Sequence, residues 1–468
     1  MNAATASGDA VFLRPGAGDL RHPNPHPSDR ETTMLRRTVL KGIAAATASA
    51  VAMPAVLTRA LAADAIELDV VHCWPGHDKF HAEIANAFMA AHPDIRIKYG
   101  TSPASYEDGH QQILRQAMTN QLPDIYFSGF HLLPPLMRTL KSRGQFVALD
   151  GLIAGEGAEW KATNYADRIL ALGNVDGEQA GMAFNTSTPI VYFNADLVKK
   201  AGGNPDAFPT DWDGLLKLSA AIAGTGDDVD GMFMSLHTGT DDWLFQAMIF
   251  QYGGNLMDDA DRTVAFGDRS GEEAVKLMRR FVTEGKMKLG EEQAARQQFF
   301  AGKLGIIFQS TASLKSTTDS VGSNFELRTT RYPMADKANG GLPTGGNAAM
   351  ILTKDEARQK AAWDYLKWVT GPEGQKVAVL ASGYMPANQR VMEKAYLGDF
   401  YAANPNWRTS LDQIPVARKW YGYPGTNSVK IGRVQKEVLA LILRGDLGPE
   451  AGLAELVKVT SDLLPRQS

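Results

Sequence analysis

Cysteine is almost missing from this chain: Cys73 is the single one among 468 residues. No internal disulfide can form, even in a compartment where disulfides persist. Charge of one sign is also lacking, since 48 Lys and Arg stand against 52 Asp and Glu for a net charge of −4. The basic residues are scattered, which argues against nucleic acid or an anionic membrane as the main partner and leaves a small molecule or a protein. Beyond residue 62 there is no long apolar run of spanning length. Catalytic signatures are absent as well: no Gly-x-Ser-x-Gly, no Gly-x-Gly-x-x-Gly before a helix, no His-Glu-x-x-His. Gly302-Lys303 looks like part of a phosphate loop, but Leu304 stands where Ser or Thr would hold magnesium.

What is present begins with an address. Leu35-Arg36-Arg37-Thr38-Val39-Leu40-Lys41 precedes an uncharged, Ala-rich run over 42–57, and Ala60-Leu61-Ala62 supplies small residues for cleavage. These are the three parts of a secretory signal, here over 34–62, and the Arg pair makes it twin-arginine. Leu35 and Val39 depart from the usual pattern. A membrane anchor is the alternative, but the run is short, rich in Ala and Thr, and broken by Pro54. Residues 1–33 carry Pro, His and Gly with little apolar periodicity, so they are expected to add nothing to a core, with Met34 as the start. Cys73 lies too far beyond the cleavage site to carry a lipid. The expectation is an unanchored protein of the periplasm.

About 400 residues remain after the signal, more than one core usually organises, so two domains are expected. Strand patterns at 66–73, 95–99 and 124–128 alternate with helical spacing at Phe80, Ile84, Ala87, Phe88 and Ala91, and at Ile113, Leu114, Ala117 and Met118. Such βαβαβ order predicts a parallel, doubly wound sheet. A second α/β segment starts near Pro189, with strands at 190–194 and 304–309 and helices from Asp211, Asp241, Gly271 and Glu291. A strand at 347–352 precedes an amphipathic helix at 355–369. With no low-complexity linker, the two lobes imply a chain that crosses between them more than once.

His72, Cys73, His77, Asp78 and His81 are the richest metal-like cluster, with His77 and His81 one helical turn apart. No second spaced Cys/His pair completes a tetrahedral set, so no metal is expected and the cluster reads as a polar loop beside a ligand. Trp74 sits there, at the carboxyl end of the first strand, where open α/β sheets place ligands. Its indole is either a wall for sugar C–H groups or a lid on the core.

A longer set of motifs carries a resemblance. Phe184-Asn185-Thr186-Ser187-Thr188-Pro189-Ile190-Val191-Tyr192-Phe193-Asn194, then Pro209-Thr210-Asp211-Trp212, Phe300-Ala301-Gly302-Lys303-Leu304-Gly305-Ile306, Gly345-Gly346-Asn347, Trp368-Val369-Thr370-Gly371-Pro372-Glu373-Gly374-Gln375 and Ser382-Gly383-Tyr384-Met385-Pro386 occur in this order. Together they resemble the family 1 extracellular solute-binding proteins of sugar-class ABC importers, nearest the glycerol-phosphate-binding subfamily. The resemblance implies a class II periplasmic binding-protein fold: two doubly wound α/β lobes joined by crossover segments, with the ligand in the interlobe cleft. Lobe 1 would comprise 66–182 plus 341–385, and lobe 2 would comprise 183–340 plus 386–468.

The resemblance also implies ligand contacts at Tyr106, Ser187, Trp243, Ser310, Gly346 and Tyr384, to which the crevice argument adds Trp74. Their hydroxyls can donate to sugar, phosphate or sulfonate oxygens. Two positions depart from the subfamily. A carboxylate is replaced by Phe130 or His131, and a phosphate-gripping Arg aligns at Gly432 or, shifted by one, at Arg433. The bland alternatives are that Ser187 and Ser310 cap local backbone, that Tyr384 packs between lobes, and that Arg433 is a solvated helix residue. Phe299, Phe300 and Trp363 read as core.

The implied role is capture of a glycerol-phosphate-type ester, an anionic sugar derivative or an oligosaccharide, without cofactor or covalent chemistry. Permease transmembrane subunits would be the partners of a monomer. The rival is a secreted carbohydrate- or phosphoester-active hydrolase, for which Asp241-Asp242 and Asp258-Asp259 are the adjacent carboxylates near candidate positions.

Overall fold

A computed structural model describes residues 65–239 and 241–466. The proposed export signal and Met34 lie outside the described residues.

Strands β1 (Ile66–Val71), β2 (Ile95–Tyr99) and β3 (Ile125–Gly129) pair in parallel, with β1 between its two partners. The intervening helices follow the apolar spacing in part, since Ala87, Ala91 and Met118 of the expected faces are exposed. Helix α1 (Asp78–Ala91) buries Phe80, His81, Ile84, Ala85 and Phe88 and stops just before Pro93, which disfavours helix in the residue preceding it. Helix α2 (Tyr106–Met118) starts where the Ser105 hydroxyl accepts from the Asp108 N–H at 3.1 Å.

The chain then makes β4 (Met182–Ser187), which enters the same sheet antiparallel to a later strand, and, after Thr188 alone, β5 (Pro189–Asn194), which belongs to a second sheet. That second sheet also holds β6 (Asp230–Met234), β7 (Leu304–Ser310) and β8 (Leu327–Arg331), in the order β8-β5-β7-β6. Helices α4 (Glu292–Phe300) and α5 (Leu314–Val321) flank it, while α3 (Trp243–Phe250) packs against the strand Leu342–Ile351 of the first sheet.

Returning to the first sheet, β9 (Leu342–Ile351) lies antiparallel between β3 and β4, β10 (Met385–Pro386) pairs β4, and β11 (Ala417–Lys419) pairs the start of β9. Helix α6 (Ser428–Arg444) packs with the C-terminal helix Pro449–Ser461.

Two findings refine the sequence reading. The first sheet is mixed and not wholly parallel: β4 keeps the direction of β1–β3, whereas β9, β10 and β11, which follow the chain's return from the other sheet, run against them. The change of sheet also lies at Thr188 and not at residue 183, since Ser187 still pairs with Gly345 of β9 while Pro189 already pairs with Ser310 of β7. Phe299 and Trp363 are buried, and Phe300 packs partly exposed against its neighbours. Among the described residues no helix is long and apolar enough to cross a membrane.

Candidate functional site

A cleft of about 600 Å³ opens at the carboxyl ends of β1, β4 and β7. Trp74, Tyr106, Ser187, Trp243, Ser310, Gly346 and Tyr384 all line it, and Arg433 does not.

Trp74 follows β1 with φ 72°, a conformation that costs a non-glycine residue energy and persists only where surroundings fix it. Its N–H donates to Pro103 O at 2.8 Å, its carbonyl accepts from the His77 N–H at 2.8 Å, and its ring meets Tyr106 edge to face at 5.6 Å. Tyr106 opens α2 and is buried. Its hydroxyl accepts from Asn347 Nδ2 at 3.1 Å. A Cβ on Gly129 would come within 2.7 Å of the Tyr106 ring, so the end of β3 must stay bare. Burial raises the Tyr384 phenol, an effect that a hydrogen bond with Tyr106 moderates, and the His77 ring lies edge to face with it at 5.7 Å.

The two glycines of β9 have different tasks. A Cβ on Gly345 would meet Ser187 Oγ at 2.8 Å and the Trp243 ring at 3.1 Å, so bare backbone leaves room for both side chains. Gly346 has φ 119°, and a Cβ there would lie 2.1 Å from Asn185 O. Glycine is therefore required by backbone shape as well as by any ligand. Trp243 donates its indole N–H to Pro343 O at 3.0 Å and so offers the cleft its ring alone. Ser310 does cap backbone, accepting from the Ala312 N–H at 3.1 Å, but the same hydroxyl still has a hydrogen to donate.

Arg433 lies in an adjoining hollow with Glu107, Asp108, His237 and Glu437. Gly432 faces a third, small hollow beside Asp242. One helical turn further along α6, Lys436 reaches the cleft and donates to Thr238 O at 2.7 Å. His131 is also behind the wall. It stacks on Trp420 at 3.6 Å and its Nε2 lies 3.0 Å from Glu107 Oε1. Burial would raise the Glu107 carboxyl, but the hydrogen bond and charge of His131 outweigh it and hold it below the usual carboxylate range. Trp420, which lines the cleft, donates its indole N–H to Asp242 Oδ1 at 3.2 Å.

Sequence reasoning missed Glu292, Arg296, Gln309, Trp420 and Lys436, all of which line the cleft. Glu292 and Arg296, four apart on α4, share one helix face, but nothing in a polar helix marks that face as inward. The histidine cluster is a stack: His72 and His81 lie parallel at 3.8 Å, and burial lowers His77 to about 4 and holds His81 well below its ordinary value, keeping them neutral. Among the described residues no group of three His, Cys, Asp or Glu is placed to hold a metal ion. Cys73 is buried and free, its thiol pushed up to about 12 by that burial.

The carboxylate pairs are engaged in structure. Asp241 Oδ1 accepts from the Trp243 N–H at 3.0 Å, and buried Asp242 accepts from Gln246 Nε2 at 3.1 and 3.0 Å. Asp258 closes its own turn by accepting from the Arg262 and Thr263 N–H groups.

Two α/β sheets joined by short crossings, with aromatic rings and polar side chains converging between them, define the two-lobed binding proteins. Residues 74–376 match the bacterial extracellular solute-binding protein family, and the chain belongs to that family. It is similar to the sn-glycerol-3-phosphate-binding periplasmic protein of Rhizobium meliloti (strain 1021), 24% identical over 327 residues covering 68% of this chain and 76% of the relative. The corresponding protein of Escherichia coli (strain K12) is 22% identical over 303 residues, covering 62% and 68%. Among solved structures, the cyclic alpha-maltosyl-1,6-maltose binding protein of Arthrobacter globiformis superposes with a TM-score of 0.71 at 20% identity, covering 85% of this chain and 98% of that one. UgpB of Mycobacterium tuberculosis, in complex with glycerophosphocholine, gives 0.69 at 21% identity, covering 84% and 98%.

Proposed function

We propose that this protein is the periplasmic solute-binding component of an ABC importer, capturing a polar, hydroxylated, sugar-class solute and handing it to membrane permease subunits. The observation that carries this reading is the convergence of aromatic rings and polar groups from two sheets on one cleft of ligand size. The names of the relatives support the solute class, and Arg36-Arg37 supports export in folded form by the twin-arginine route. The protein acts as a monomer whose lobes exchange at Thr188 and again between β8 and β9. Seven residues, Trp74, Tyr106, Ser187, Trp243, Ser310, Gly346 and Tyr384, contact the solute.

Capture works by closure. A solute that touches both lobes stabilises the arrangement in which they meet, and at a hundredfold excess over Kd it adds about 2.7 kcal/mol of stability. Thermal unfolding with sn-glycerol 3-phosphate, glycerophosphocholine, glucose, maltose, maltotriose and trehalose tests this. A rise in Tm with at least one is expected, and none from the whole panel would overturn the reading. Turnover of a bound sugar or phosphodiester would instead establish the hydrolase, against which the structural commitments of Asp241, Asp242 and Asp258 speak.

A further inference from the structure

Two planar polar side chains on the second-sheet side of the cleft, Gln309 and Arg296, have capacity that the protein does not use, and an acidic one, Glu292, lies beside them. Gln309, the penultimate residue of β7, is 5% exposed, and neither Oε1 nor Nε2 of its amide has a partner among the described residues. A buried amide left unmatched is costly, and native proteins rarely keep one without a reason. Arg296 lines the same wall and makes no ion pair among the described residues; its guanidinium lies 5.8 Å from the Phe300 ring centroid. Arg296 lines the cleft together with Gln309 and Ser310, the last two residues of β7. Glu292 lies one turn before Arg296 and lines the cleft too.

The donor and acceptor inventory decides what such a wall recognises. Arg296 only donates, an ionised Glu292 only accepts, and Gln309 does both. An oxyanion accepts only, so it would leave Gln309 Oε1 unmatched and would face Glu292 and Asp241. A cation would face Arg296 and Lys436. A hydroxyl donates once and accepts as well, and two adjacent hydroxyls on an uncharged ring satisfy a guanidinium, an amide and a carboxylate together.

We infer that Glu292, Arg296 and Gln309 form a subsite that reads adjacent hydroxyls on an uncharged part of the solute, as on a sugar ring. The inference rests on the importer reading and narrows it, favouring a saccharide over a simple phosphate ester. The Gln309 amide is shielded from solvent at present and turns outward as the ring arrives. It breaks no protein hydrogen bond in doing so, because it has none.

The test pairs ligand-free unfolding with calorimetric titration of the full chain, wild type against Gln309→Met and Arg296→Gln. Methionine keeps the approximate volume and removes the orphaned amide, so ligand-free Gln309→Met should melt about 2 °C higher than wild type. Among glucose, maltose, maltotriose and trehalose, any sugar the wild type binds should bind Gln309→Met at least about tenfold more weakly. A lower Tm, or failure of Gln309→Met to fold, would show the amide to be structural and overturn the inference. So would unchanged sugar affinity. Binding of sn-glycerol 3-phosphate alone, lost in Arg296→Gln and kept in Gln309→Met, would make the wall an anion grip and also overturn it. If the wild type bound no solute at all, the importer reading would fall, while the ligand-free melting shift would still decide whether Gln309 is an unspent group.

Discussion

The two walls of the cleft use their polar atoms in opposite ways. On the aromatic side, Trp243 gives its N–H to Pro343, Trp420 to Asp242, and the Tyr106 hydroxyl is matched by Asn347. Those rings are held by the protein and offer shape. On the α4 and β7 side, Arg296 and Gln309 are unmatched among the described residues and offer hydrogen bonds. The difference teaches that one wall is pre-organised by internal bonding, whereas the other is stable only at some expense that a ligand removes.

The contrast can be broken most severely at its scaffold. Gly346→Val places a Cβ at φ 119° and against Asn185 O, so denaturant unfolding should show a loss of about 3 kcal/mol or more, or no folded protein. A variant as stable as wild type would mean that β9 can shift at this point.

Acid should act on the first-sheet side next. Burial lowers His110 to about 4 and holds His81 well below its ordinary value, so the folded state keeps both neutral while the unfolded chain protonates near 6.5. The unfolded state then binds more protons, and stability should be full above pH 6.5, fall as the pH drops, and for His110 level off below about 4. The His110 share is roughly 3 kcal/mol. Urea midpoints that stay flat between pH 7 and 4 would contradict this.

Smaller changes sharpen the comparison. Trp243→Phe keeps a ring but orphans Pro343 O, for an expected loss of about 1 kcal/mol by denaturation and only modest loss of affinity. Ser310→Ala removes a cap, at about 1 kcal/mol, and a donor to the solute, so stability and binding should fall together. Arg433→Ala should change affinity least, by less than about twofold, since the side chain lies outside the cleft. A larger effect on titration would return Arg433 to the site.

Much of the first sheet was legible because apolar spacing in 66–128 alternates cleanly between the two periods. Strand pairing in the second sheet was not, because partners such as Ile190 and Gln309 are far apart in sequence and only register joins them. The cleft residues that motif order located cluster at strand ends and turns. Residues on helix faces were lost, since Arg433 and Lys436 look alike in sequence and a single turn decides which enters the cleft. Gln309 was invisible for a different reason: an unmatched amide is defined by what surrounds it.

The passage from one sheet to the other through Thr188 alone has a mechanical corollary. In the proposed closure the lobes rotate about this crossing, where the Gln413 amide is anchored on the Thr188 hydroxyl at 2.8 Å. Ser187 and Ser310, beside the pivot, have short lever arms and keep nearly constant positions through the swing. The residues beside the crossing thus act as a fixed datum against which a solute is seated.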